Sequence, residues 1–113
     1  EQCLHHVHEA APDLPIYVTE NGLAAPDHLV DGACEDPHRI AYINAHVAAL
    51  RRAQEAGVPV AGYFVWSLMD NYEWNEGYKD RFGLVHVDFE TLERTPKASW
   101  HAFAAAIGGE TQA

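Results

Sequence analysis

Two apolar runs joined by a single long amphipathic stretch leave this chain few folds. The first run is Ile16–Thr19, where Ile16, Tyr17 and Val18 are β-branched or aromatic, with Pro15 before it and Gly22 after it. The second is Val58–Trp66, Val-Pro-Val-Ala-Gly-Tyr-Phe-Val-Trp. Between them, Gly22–Glu35 carries Gly, Pro and Asp without periodicity and reads as a long surface loop. A helix follows, with Asp36 as N-cap and Pro37 at the first helical position. Its apolar positions Ile40, Ile43, Val47 and Leu50 recur at 3-4-3 spacing before Gly57 closes it. Strand, loop, helix and strand make a βαβ unit with parallel strands and a right-handed crossover. Both strands are apolar on both faces, as in a sheet covered on two sides. Two strands alone would leave their edges open to aggregation. The fold class is therefore α/β, and the chain is expected to be a piece of a larger sheet or barrel.

The flanks fit that frame. Gln2–Ala11 is expected to be helical, with Leu4, Val7 and Ala11 on one stripe and Pro12-Asp13 as the stop. Ser67–Arg81 mixes aromatics with acids and fits no simple period. Leu84–Phe89 alternates like a short strand, and Glu90–Arg94 reads as a turn with a brief return. Thr95-Pro96 is expected to cap a last helix with Trp100, Phe103 and Ile107 on its stripe and Gly108-Gly109 at its end.

The bulk properties exclude several classes of partner. A chain of 113 residues is one domain by length, and 48% hydrophobic residues with 21% charged is the composition of a folded protein. A net charge of −10 speaks against nucleic acid or an anionic membrane, which need clustered Lys and Arg, and suits a neutral ligand. There is no apolar run of bilayer length and no leader-like start. Cys3 and Cys34 are too few for a disulfide framework and fit reduced thiols, so a cytoplasmic location is expected. The chain starts without Met in what looks like mid-helix, which hints at a fragment. No metal or cofactor is expected: His5, His6 and His8 lack an acid or Cys to complete a set, and Asp70–Asp80 lacks the spacing of a calcium loop. Asp36 and Arg39 read as a cap and a helix-surface ion pair.

The acids and aromatics cluster just after the strand ends, where α/β folds place their sites. Glu20, pushed beyond a wholly apolar strand, is the focus. By itself it could be a solvated acid, and Trp66 and Trp74 could be core aromatics. Their company says more. Tyr17-Val18-Thr19-Glu20-Asn21-Gly22 resembles the nucleophile signature of glycoside hydrolase family 1, the β-glucosidase and 6-phospho-β-glycosidase family. Asp36-Pro37-His38-Arg39-Ile40-Ala41-Tyr42 is similar to the helix that follows it there. Gly62 through Trp74 resembles the family's sugar-binding segment, and Arg81-Phe82-Gly83-Leu84, Val87-Asp88-Phe89 and Arg94-Thr95-Pro96-Lys97 complete the order. The departures are Ala102 and Phe103 in the last helix, where a Trp-Tyr pair is common, and Tyr72 where Phe is commoner.

The resemblance implies a partial (β/α)₈ TIM barrel: residues 1–113 as the C-terminal portion of one barrel domain, containing the last two strands and their helices. Ile16–Thr19 would be the seventh strand and Ala61–Val65 the eighth, with the first six absent. The implied activity is retaining β-glycoside hydrolysis, with Glu20 as the nucleophile that forms a covalent glycosyl-enzyme. Trp66 would pack under the sugar, Trp74 would donate to a hydroxyl, and Glu73 would take two hydroxyls of a glucose or galactose. Phe82 would line the pocket. Retention of Glu73 argues against the 6-phospho branch, which tends to replace this acid. The implied substrate is a small β-glycoside or oligosaccharide. The family's Asn-Glu-Pro acid/base segment is not in this sequence, so a further partner would be the missing N-terminal part of the barrel. Without that part, the implied alternative is an inactive sugar-binding or complementing piece. The family also implies a cis Trp66–Ser67 peptide.

Overall fold

The computed structural model describes residues 1–108. In chain order they form α1 (Gln2–Ala10), β1 (Ile16–Asn21), α2 (Pro37–Glu55), β2 (Val60–Val65), β3 (Val85–Val87), β4 (Arg94–Pro96) and α3 (Ala98–Gly108). A single 3₁₀ turn covers Trp74–Glu76. β1 and β2 pair in parallel with α2 as their connection, the βαβ unit that the two apolar runs predict. Ala53, Val58 and Val60 are its buried core, with Leu4, Ile16 and Leu50 packed against them. Gly57, at φ 94°, ends α2 as expected.

The sheet is irregular where it matters. Ile16 lies opposite Val60, but Tyr17 lies opposite Gly62, so Ala61 is an extra residue in β2. Such a bulge re-aims the side chains after it. It leaves Ile16, Val18, Val60 and Tyr63 on the side of the helices, where Tyr63 meets Phe103 of α3 with ring centres 6.4 Å apart. Tyr17 and Phe64 stand on the other side, 56% and 58% exposed. The expected cover on both faces is thus present on one only, because this chain supplies helices to a single side of its two strands.

The overall shape follows. The described residues span 47 × 40 × 18 Å, with a radius of gyration of 15.9 Å, against about 13 Å for a compact chain of this length. They form a slab, not a sphere.

α1 forms as expected, with Leu4 of its stripe packed against the core and Val7 44% exposed. Three local expectations are corrected. The Leu84–Phe89 strand contracts to Val85–Val87, paired antiparallel with Arg94–Pro96, and all three residues are buried, not alternating. Thr95-Pro96 does not cap the last helix, because both residues lie in β4. The amides at the start of α3 are served from elsewhere, Ala98 N–H by the Cys34 carbonyl and Ser99 N–H by the Asp36 carboxylate. The Gly108-Gly109 stop falls partly outside the described residues. Finally, Asp36 and Arg39 are not a surface pair: they are 4% and 0% exposed. No helix of the described residues is long and apolar enough to cross a membrane, and among them no group of three His, Cys, Asp or Glu is placed to hold a metal ion.

Candidate active site

The C-terminal tips of β1 and β2 stand side by side, and the candidate site grows from them. Asn21 pairs with Val65, and Trp66 N–H donates to the Asn21 carbonyl at 2.9 Å. Glu20 is therefore one residue away from a backbone bond to Trp66. Gly22 makes this approach possible, since a Cβ there would stand 1.8 Å from the Trp66 carbonyl oxygen. Asn21 is held in turn by its side chain, which accepts from the Tyr63 hydroxyl at 2.8 Å and donates to the Tyr42 hydroxyl at 3.2 Å. Burial and the neighbouring Tyr42 push the Tyr63 phenol up to about 12 from 10.0. A folded-state value above the unfolded one gives stability that is complete below pH 10 and lost as pH rises toward 12. Titration of phenolate absorbance should accordingly show a late step near pH 12, and Tyr63→Phe should remove it.

Beyond β2 the chain turns through a cis Trp66–Ser67 peptide. Ser67 N–H donates to the Phe82 carbonyl, and Leu84 N–H to the Ser67 carbonyl. Phe82 thus lies beside the same turn. The Trp66 indole N–H reaches Glu73 Oε2 at 3.5 Å, so platform and acid are brought together. Trp74 is different. Its φ is 45°, the residue is 80% exposed, and it lies in the 3₁₀ turn that Glu73 and Gly77 close by a 2.7 Å backbone bond. Glu20 is exposed, and no donor among the described residues hydrogen-bonds its carboxylate. A cleft of about 500 Å³ elsewhere, lined by residues including Ala25, Asp27, Asp36 and Arg39, contains none of these five side chains. Of the five predicted residues, the structure joins Trp66 to Glu73, sets Glu20 one residue from the backbone bond to Trp66, places the Phe82 backbone at the same turn and leaves Trp74 exposed.

Behind these residues runs a ladder of buried charges, of which sequence reasoning found only the Asp36–Arg39 pair and took it to be exposed. Arg81 meets Asp70 at 2.6 Å, Asp70 meets Lys97 at 2.8 Å, and Lys97 meets Asp27 at 2.5 Å. Asp27 meets Arg39 at 2.6 Å, and Arg39 meets Asp36 at 2.5 Å. Burial alone would raise the Asp70 carboxyl, but hydrogen bonds from Lys97 and Arg81 outweigh it and hold the group below the usual carboxylate range. The local signals were the Asp36–Arg39 pair, read as lying on the surface, and Lys97, a cation just before an apolar helix.

The sequence profile described as glycosyl hydrolase family 1 matches residues 1–110. A 6-phospho-beta-galactosidase of Streptococcus equi subsp. zooepidemicus is 50% identical over 93 residues, which is 80% of this chain and 20% of that protein. Beta-glucosidase A of Thermotoga maritima is 46% identical over 93 residues, 81% of this chain and 21% of that protein. The structure of the family 1 β-glucosidase from Thermotoga maritima in complex with isofagomine lactam superposes with a TM-score of 0.94 at 40% identity, covering 99% of this chain and 26% of that one. The chain thus spans about a fifth to a quarter of the length of these relatives and is a partial barrel. The two kinds of relative match at nearly equal identity, so identity alone does not choose between them.

Proposed function

Because the chain belongs to glycosyl hydrolase family 1, we propose that it supplies the nucleophile and the glycone-binding wall of a retaining β-glycosidase. β1 and β2 are then the seventh and eighth barrel strands, residues 1–113 the C-terminal part of the single barrel domain, and the first six strands its partner. The observation that carries the reading is the junction of the two strand tips, where Glu20 stands one residue from the backbone bond that holds Trp66, and Trp66 meets Glu73. In this mechanism Glu20 attacks the anomeric carbon and the leaving oxygen takes a proton from a second carboxyl roughly 5–5.5 Å away, supplied by the rest of the barrel. Water then releases the sugar with its β configuration kept. Trp66 offers an indole face to the apolar side of the pyranose, Trp74 an N–H to a hydroxyl, and Phe82 more apolar lining. Glu73 grips two hydroxyls as a charged acceptor.

Glu73 also selects against a phosphorylated sugar, because a carboxylate facing a phosphate is repelled. Lys79, the nearest cation in sequence, is exposed and lies 3.6 Å from Glu76, so it is drawn to an acid of its own turn. The high identity to a 6-phospho-beta-galactosidase favours the opposite preference, and one comparison decides. With the complete barrel, kcat/KM for an aryl β-glucoside should exceed that for its 6-phosphate at least about tenfold, a difference of about 1.4 kcal/mol. The reverse order assigns the protein to the phospho branch. This chain by itself should release no phenol from either.

A further inference from the structure

The ladder under the site has a formal charge of zero, three cations alternating with three anions, and it is almost dry. The Lys97, Arg39 and Asp70 side chains are 0% exposed, Asp36 1% and Asp27 5%, with only Arg81 at 17%. Buried ion pairs of this kind are poor sources of stability, since apolar residues of the same volume often do as well. What charges provide and methyl groups do not is a single register, because each oxygen must find its own donor.

Asp70 is where that register meets the site. Its Oδ1 accepts from Lys97 and from Gly83 N–H at 2.9 Å, and its Oδ2 from Arg81 and from Val87 N–H at 3.3 Å. Backbone presses close around it: a Cβ on Gly83 would come 2.2 Å from the Asp70 nitrogen. Residues 70 and 81 are thereby locked together, and the segment between them carries Glu73 and Trp74 outward. The Arg81 carbonyl in turn accepts from Ala25 N–H at 3.0 Å and from Arg39 at 2.9 Å, and Arg39 also reaches the Leu23 carbonyl. Leu23 and Ala25 lie in the loop that leaves the Glu20 strand. One set of contacts therefore fixes the sugar-binding segment against the nucleophile strand.

We propose that Asp70, clamped by Lys97 and Arg81, is a positioning residue that sets Glu73 and Trp74 at the correct distance from Glu20. It touches no substrate and acts through the segment it anchors. The inference rests on the glycosidase reading above. A misplacement of about 1 Å can lower a rate about a hundredfold, so Asp70→Asn in the complete barrel is expected to lower kcat/KM for an aryl β-glucoside by about ten- to a hundredfold at temperatures well below its melting midpoint.

A structural role alone could also lower activity, so the deciding readout is a double-mutant cycle with Glu73→Gln. If Asp70 works by placing Glu73, the double variant loses little more than Glu73→Gln alone. Additive losses, or a normal kcat/KM in Asp70→Asn, overturn the proposal. Should Asp70→Asn fail to fold, Asp70→Asn/Lys97→Met keeps the ladder neutral and takes its place in the cycle, with the same outcomes. A wild-type barrel without turnover would sink the glycosidase reading instead. The same cycle run on glucose binding, followed by indole fluorescence, then still decides whether Asp70 and Glu73 are coupled.

Discussion

Replacing Glu20 by Gln in the complete barrel is expected to lower kcat/KM for an aryl β-glucoside at least about a thousandfold, which is about 4 kcal/mol of transition-state stabilisation. The amide keeps the shape of the acid and removes the negative charge that makes its oxygen a nucleophile. The fold has little to lose. Glu20 is exposed and accepts no hydrogen bond from the described residues, so thermal stability should stay within about 0.5 kcal/mol of wild type. Glu20→Ala offers a second view of the same step, since azide can enter the vacated space and attack the anomeric carbon from the side opposite the leaving phenol. The product should be the α-glycosyl azide. A Glu20→Gln variant that retains a tenth of the activity would mean that another group is the nucleophile.

Gly22→Ala should be the most damaging single methyl in the chain. Its Cβ would stand 1.8 Å from the Trp66 carbonyl oxygen and 2.9 Å from the carbonyl carbon. Both are backbone atoms, so no side chain can rotate away, and the strand tips themselves must part. Overpacking of this kind costs about 1–3 kcal/mol, which a urea midpoint reads directly. The functional cost is expected to be larger than that figure suggests, because the displaced bond is the one that sets Trp66 beside the Glu20 strand. A loss of kcat/KM of about a hundredfold, with the protein still folded, is the expected outcome. Wild-type stability and activity in Gly22→Ala would show that the two tips do not meet as described.

How much of this was legible in the amino-acid sequence depends on the distance over which each feature is made. α2 is local: Pro37, the Ile40–Leu50 stripe and Gly57 all lie within its own turns, and it forms where they predict. The junction of Glu20 with Trp66 was readable through parallel strand pairing and a run of motifs in order. Beyond its Asp36–Arg39 rung the ladder was not, because its other contacts join residues as far as 70 positions apart, as in Lys97 with Asp27. Asp36 is the instructive residue. At the start of a helix it looks like a cap, yet its side chain makes no cap bond and turns to Arg39 and Ser99. Propensity describes what a residue offers its neighbours in sequence, and Asp36 met better partners elsewhere. Tyr17 and Phe64 were read as buried for the same reason in reverse. Their apolar character is plain, but the layer that would cover them is not in this chain.

The ladder takes three of the chain's seventeen acids and three of its seven cations. Since these cancel, the whole net charge of −10 lies outside it. Exposed charges are screened by dissolved salt over about 8–10 Å at ordinary ionic strength, whereas groups held dry at contact distance are screened far less. The two charge populations are therefore decoupled. Salt can tune how strongly copies of this acidic surface repel one another and how freely they dissolve, while the spacing of the site above the ladder stays as it is. A surface adapted to saltier or fresher surroundings could change many of those outer acids without moving the groups at the strand tips.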